Sequence, residues 1–321
     1  MPHEPAPPRL IEQVRREMRL LHRSPRTEKT YIWWIRKFIR FHGLRNPREL
    51  DEVHVREFLM HLANVERSSA STQNQALAAL RFLFERTLRR DLDWRHDLHA
   101  KRPQRVPDTL SIAECNAIVE RLPETYRLAT LLLWGSGLRV TECLTLRMKD
   151  VDLERRTLTV RAGKGEKDRM TPLAERALPL LRWQMERMRA RHLRDAVANV
   201  AVPLPGAFST KDPSASLSLG WYWLFPSSRI VRQPATRALL RWFMHPSGLQ
   251  RVLKLAAQEA GIVKRVHCHC FRHSFATQLI EHGTDIRTIQ VLMGHADVKQ
   301  TMRYTHITKK GALGVKSPVD Y

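Results

Sequence analysis

Residues 267–306 read HCHCFRHSFATQLIEHGTDIRTIQVLMGHADVKQTMRYTH. Phe271, Phe275 and Leu279 recur every fourth position, which predicts a helix from about His269 to His282, with Gly283 in the left-handed cap. His269 and Arg272 then share one face of its first turn. Asp285 is placed to cap a second helix, with Ile286, Ile289 and Leu292 or Met293 turned inward and Gly294 as its stop. His295 follows that stop, where backbone can approach a ligand closely. A third short helix is expected from Asp297, with Tyr304 at or just past its end, on an element able to move.

The order His269-x-x-Arg272, then Leu292-x-Gly294-His295, then Tyr304 resembles the C-terminal signature of the tyrosine recombinases. Three pieces in this order at these spacings carry a specificity that any one alone lacks. The resemblance implies a two-domain C-shaped clamp, mostly α with a small antiparallel β-sheet in the catalytic domain. A helical core-binding domain would occupy residues 1–95, a basic linker 96–107 and the tyrosine-recombinase catalytic domain 108–321.

Composition agrees with a nucleic-acid partner. The 321 residues are long enough for two domains, and 43% of them are hydrophobic, as expected of a folded chain. Fifty-five Lys and Arg stand against 32 Asp and Glu, a net charge of +23. Such an excess favours a polyanion, because each neutralised phosphate releases counterions. An anionic membrane is the other polyanionic surface to weigh, but no basic amphipathic anchor or lipidation motif stands out. The four cysteines do not make a disulfide framework in a chain of this size, and no apolar run is long enough to span a bilayer. A soluble, reducing compartment is expected; with the resemblance, this is the bacterial cytoplasm at the nucleoid.

Residues 10–94 carry helical periodicity throughout. The segment from Thr27 to Phe41 interleaves Tyr31, Trp34, Ile35 and Phe38 with Arg36, Lys37 and Arg40, an amphipathic helix with a basic face. Phosphate contact and plain solvation both fit that face. Helices are also expected from Val53 to Leu62 and from Ser71 to Leu88, with Ser71 as a candidate cap. From Arg95 to Pro107 the chain is basic, proline-containing and nearly devoid of apolar residues, as in an extended linker.

Beyond the linker, Ser111 to Leu122 and the apolar run from Tyr126 to Trp134 predict two helices, and Gly135 and Gly137 break the second. Gly137-Leu138-Arg139-Val140-Thr141-Glu142 resembles the first arginine box of the same family, with Arg139 at a helix start and Glu142 as its orienting acid. Thr157–Arg161 and Lys167–Leu173 alternate as strands about a turn in which Gly163 and Gly165 flank Lys164. That turn is either a solvated tip or, as the resemblance implies, one whose lysine enters the active site; Lys167 is the second choice. A basic helix is expected from Ala177 to Arg194.

Residues 195–225 are poor in charge and rich in Pro, Ser and Ala before the aromatic run Trp221-Tyr222-Trp223-Leu224-Phe225, a long loop that is either functional or disordered. Together with Ala256–Ile262 and the tail Gly311–Pro318 it resembles the extra segments of integron integrases. The resemblance implies that Trp221 stacks on a base protruding from a folded single strand. Core packing fits Trp223 and Phe225; DNA contact and packing both fit Trp221. Relatives commonly carry Arg-His-His-Met where this chain has Arg241-Trp242-Phe243-Met244; the two aromatics can still stack, without a histidine's hydrogen bonds.

The chemistry implied is attack on a phosphodiester. Arg139 and Arg272 would answer the charge that builds on its oxygens, since each guanidinium is permanently charged and forked. By the resemblance, Tyr304 is the nucleophile, forming a 3′-phosphotyrosyl link. Lys164 is assigned as general acid, His269 as general base and His295 as a hydrogen-bonding partner of the phosphate. No cofactor or metal is expected: the alternating His and Cys of residues 267–270 lack the paired spacing of a zinc site. The partners expected are a folded single-stranded cassette site, a double-stranded integration site and three further copies of the chain. A recombinase confined to duplex sites and a non-catalytic DNA-binding protein are the alternatives.

Overall fold

The computed structural model describes residues 9–92, 98–101, 108–161, 168–206, 208–234, 236–295 and 297–302, and every structural statement concerns these. The chain divides into two compact units, residues 1–105 and 106–321.

The first unit is helical: α1 (Leu10–Leu20), α2 (Pro25–Phe41), α3 (Glu52–Asn64) and α4 (Ala70–Arg81). Each of the last three starts where a short polar side chain can accept from exposed backbone N–H groups. Ser24 caps α2, Asp51 caps α3, and Ser69, not the expected Ser71, caps α4 by accepting from Thr72 N. The chain continues past α4 as a π-type turn over Phe82–Thr87. Phe82, Leu83 and Phe84 in that turn are all buried. They close a core with Ile35, Phe38, Phe58, Leu77 and Leu80.

The second unit begins with α5 (Ile112–Glu120), capped by Ser111 in a reciprocal box with Glu114. Next come α6 (Glu124–Gly135), α7 (Val140–Leu144) and an antiparallel sheet of β1 (Val151–Asp152), β2 (Thr157–Val160) and β3 (Arg169–Pro172). α6 is buried on several sides, through Leu128, Ala129, Leu131, Leu132 and Leu133, as its continuous apolar sequence requires. Then α8 (Leu178–Val197) leads to β4 (Val200–Ala201), α9 (Phe208–Lys211), β5 (Pro226–Arg232) and β6 (Leu239–Phe243). The unit ends with α10 (Pro246–Glu259), α11 (Cys268–Glu281), α12 (Ile286–Met293) and α13 (Lys299–Met302).

The long loop expected over residues 195–225 is instead largely folded. β4 pairs parallel with β6, and β5 antiparallel with it, making a second three-stranded sheet that the sequence reading did not anticipate. Two buried arginines fasten this region. Arg147 donates to the carbonyls of Trp221 (2.6 Å) and Pro203 (2.8 Å), with its guanidinium 3.2 Å from the ring centre of Trp223. Arg241 grips the Asp195 carboxylate with Nε and Nη2, and the Tyr222 hydroxyl donates to the same carboxylate (2.5 Å). A buried charge is tolerated only when so partnered.

The four cysteines are buried with free thiols. Burial pushes the Cys115 and Cys268 thiols up to about 12, so they act as small apolar groups and not as nucleophiles. Among the described residues no helix is long and apolar enough to cross a membrane.

Candidate active site

Arg139 stands at the start of α7, just after Gly137 turns the chain at φ +62°. A side chain at Gly137 is excluded twice, by that φ and by the Phe275 ring, which would lie 2.4 Å from an added Cβ. The turn releases the Gly137 carbonyl to accept from Arg272 Nη1. Arg139 is held by Glu142, which accepts from the Arg139 backbone N–H (2.8 Å) and from its Nη1 (2.6 Å).

Arg272 occupies the inner side of α11 and is 4% exposed. α11 runs within a residue of its expected bounds, and α12 starts at the Asp285 cap and stops at Gly294 in the left-handed conformation, as the sequence indicates. That stop matters because the last carbonyls of a helix have no partner within it and sit at the negative end of its dipole. Three consecutive ones each take an arginine: Leu292 O accepts from Arg169 Nε (2.8 Å), Met293 O from Arg272 Nη2 (2.6 Å) and Gly294 O from Arg139 Nη2 (3.0 Å).

The three arginines also meet at Glu142. Arg169 donates to both carboxylate oxygens, at 3.1 and 2.7 Å, while Arg272 Nη1 lies 3.7 Å away, an ion pair beyond hydrogen-bond reach. Burial alone would raise the Glu142 carboxyl, but hydrogen bonds from Arg169 and Arg139 outweigh it and hold its pKa at about 2. Three guanidinium charges against one carboxylate leave this cluster cationic, an arrangement suited to an anion. Sequence reasoning missed Arg169. In β3 the polar Arg169 and Thr171 turn inward and Met170 faces out, the reverse of what hydrophobic alternation leads one to expect. The local pattern carries no signal for it, because the burial of Thr171 beside it shows only in the fold.

His269 lies on the exposed side of α11, yet protein packed around its ring and the positive charges of Arg272 and Arg139 hold its pKa below 6.5. It is therefore neutral at physiological pH and can accept a proton. His295 Nδ1 is 2.9 Å from the Thr301 hydroxyl, Gln290 Nε2 donates to the His295 carbonyl (3.1 Å), and the His295 N–H donates to the Gln290 carbonyl (3.1 Å), which fixes the backbone after Gly294. Lys164 and Tyr304 lie outside the described residues. β2 and β3 pair as far as Val160 and Arg169, and Arg169 bonds Glu142.

The three expected base contacts are placed differently from one another. Trp242 is 44% exposed on β6, whereas Phe243 packs edge-on against Trp223. Trp221 is partly buried: Phe208 stacks on it with ring centres 4.7 Å apart, and Lys149 Nζ lies 3.0 Å from its ring centre. Among the described residues no group of three or more His, Cys, Asp or Glu is arranged to hold a metal.

Two family models match the chain. Residues 108–310 match the phage integrase family, and residues 10–94 its N-terminal SAM-like domain. The chain belongs to the phage integrase family, the tyrosine recombinases. It is accordingly an enzyme of DNA strand breakage and rejoining. An integrase/recombinase of Escherichia coli is 44% identical to this recombinase over 98% of the chain and 96% of its own length. Tyrosine recombinase XerA of Thermococcus onnurineus is 31% identical, with coverages of 93% and 91%. Among solved structures, the Tn1549 transposon integrase in complex with transposon right end DNA aligns with a TM-score of 0.61 at 15% identity, covering 97% of this chain and 96% of that one. XerH bound to difH substrate in a pre-cleavage complex aligns with a TM-score of 0.60 at 21% identity, covering 88% and 76%. These two structures share the fold of this recombinase.

Proposed function

We propose that the protein is a site-specific recombinase of the integron-integrase type, exchanging strands between a double-stranded integration site and a folded single-stranded cassette site. The observation that carries the catalytic part is the convergence of Arg139 and Arg272 on one carboxylate and on adjacent carbonyls at the Gly294–His295 turn. Their forks receive the nonbridging oxygens of the scissile phosphate, whose charge rises as it is attacked. His295 adds a hydrogen bond to the same phosphate.

Tyr304 attacks phosphorus through its phenolic oxygen and gives its proton to His269. The bond from phosphorus to the 5′-oxygen breaks, and Lys164 protonates the departing oxygen. The products are a 3′-phosphotyrosyl ester and a free 5′-hydroxyl. The 5′-hydroxyl of another strand then attacks the ester and restores the tyrosine. Bond energy is kept in the ester throughout, so the cycle requires no external energy source, cofactor or metal. Four copies act together on DNA, exchanging C-terminal helices, in the cytoplasm at the nucleoid.

The folded region after α8 supports the single-strand reading by presenting Trp242 outward, where an unpaired base can stack. One observation favours recombination of duplex sites alone: Trp221, the expected stacking residue, is already covered by Phe208 and Lys149 and must part from them to reach a base. Binding to the folded bottom strand of a cassette site, to its complement and to the duplex separates the two. The integron reading expects preference for the folded bottom strand, weakened selectively by Trp221→Ala or Trp242→Ala. Equal affinity for all three DNAs leaves the duplex reading.

A further inference from the structure

Arg169 belongs to no part of the signature, yet it spans the site. Its Nε holds Leu292 O at 2.8 Å, while Nη1 and Nη2 hold the two oxygens of Glu142 at 3.1 and 2.7 Å. Gly294 presses against its guanidinium: a Cβ there would lie 3.0 Å from Nη1, 3.1 Å from Cδ and 3.2 Å from Cζ. The side chain is only 8% exposed.

We propose that Arg169 is a positioning residue for strand cleavage, holding Glu142 and the 292–294 turn so that Arg139 and Arg272 keep their forks on the scissile phosphate. The inference rests on the reading of those two arginines as the phosphate forks. Glu142 Oε2 accepts from Arg169 Nη2 at 2.7 Å and from the Arg139 backbone at 2.8 Å, and Arg272 Nη1 waits at 3.7 Å from the same oxygen. Without Arg169 that buried oxygen keeps only the Arg139 backbone N–H, and Arg272 Nη1, 3.7 Å from it, is placed to replace the lost donor. Moving onto Glu142 would draw Arg272 away from the phosphate. The same loss frees Leu292 O and loosens the turn that supplies the carbonyls steadying Arg272 and Arg139. A lysine would keep the charge but could not bridge two carboxylate oxygens and a carbonyl with one planar fork.

Single-turnover cleavage of a nicked duplex tests this, with either an ordinary phosphodiester or a neutral methylphosphonate at the scissile position. The neutral linkage has less need of cationic forks, so a defect that acts through them shrinks on it. Arg169→Met is expected to slow phosphodiester cleavage about 100-fold, the scale of a small misplacement of catalytic groups, and to show a much smaller loss on the methylphosphonate. Arg169→Lys is expected to behave like Arg169→Met. Phosphodiester cleavage at the wild-type rate overturns the proposal, as does an equal loss on both linkages while Arg139→Met is relieved. If Arg139→Met itself shows no relief, the fork reading fails first and the role of Arg169 goes with it. Circular dichroism establishes that each variant is folded; where Arg169→Met is not, Arg169→Lys carries the comparison with the same two outcomes.

Discussion

Arg272 stands 3.7 Å from the carboxylate of Glu142, close enough to pair with its charge and too far to hydrogen-bond it. The carboxylate is instead bonded by Arg169 and Arg139. Glu142 thereby offsets the repulsion among three closely spaced cations without itself hydrogen-bonding Arg272.

The pKa of Glu142, about 2 against an ordinary 4.5, gives its contribution a definite pH window. A carboxyl depressed on folding adds stability that is fully present above about 4.5 and is lost as pH falls towards 2. Glu142→Gln is expected to cost on the order of 3 kcal/mol at neutral pH and far less near pH 2. Urea unfolding of both proteins across that range measures the difference.

Gly137→Ala combines a positive φ with a Cβ placed 2.4 Å from Phe275. A loss of about 2–4 kcal/mol is expected from backbone strain and overpacking together. The Gly137 carbonyl also accepts from Arg272, so cleavage should fall further than stability alone explains. Denaturant unfolding and single-turnover cleavage of the same variant separate the two effects.

The second sheet gives a prediction independent of the chemistry. Asp195→Ala leaves Arg241 buried without its carboxylate, and a cost of about 3–5 kcal/mol is expected. Replacing both, as Asp195→Leu with Arg241→Met, should cost less than either change alone, because no unpaired charge remains. Thermal unfolding of the three variants provides the comparison.

His269 is held below 6.5 by its packed surroundings and by the nearby Arg272 and Arg139 guanidinium groups. As a base it must be neutral, so cleavage should decline only as pH falls below 6.5. Arg139→Gln removes one neighbouring positive charge and is expected to move that acid limb upwards. A pH–rate profile at single turnover shows the limb directly.

Much of this site could be read in the residues themselves. Phe271, Phe275 and Leu279 set α11, and Asp285 and Gly294 delimit α12, because caps and helical period are local properties. Arg139 and Arg272 were visible as parts of motifs. Arg169 was not, since the strand's apolar Met170 faces solvent and its charged neighbour turns inward to partners far away in sequence. The second sheet escaped for a related reason: β4 has two residues, too few for a period, and its partner Leu239 lies far beyond Val200 in the chain. Trp223 and Phe225 are buried, as the core-packing reading of these residues expects, while Trp221, left open between packing and DNA contact, is partly covered.

The central claim is that these arginines serve a transient ester on Tyr304, and trapping that ester tests it most directly. A duplex nicked just beyond the cleavage site lets the freed short fragment diffuse away, so that the covalent adduct accumulates. The account expects a wild-type adduct whose DNA is attached through its 3′-phosphate to Tyr304, and none from Tyr304→Phe. An adduct that persists in Tyr304→Phe, or DNA joined at another residue, contradicts it.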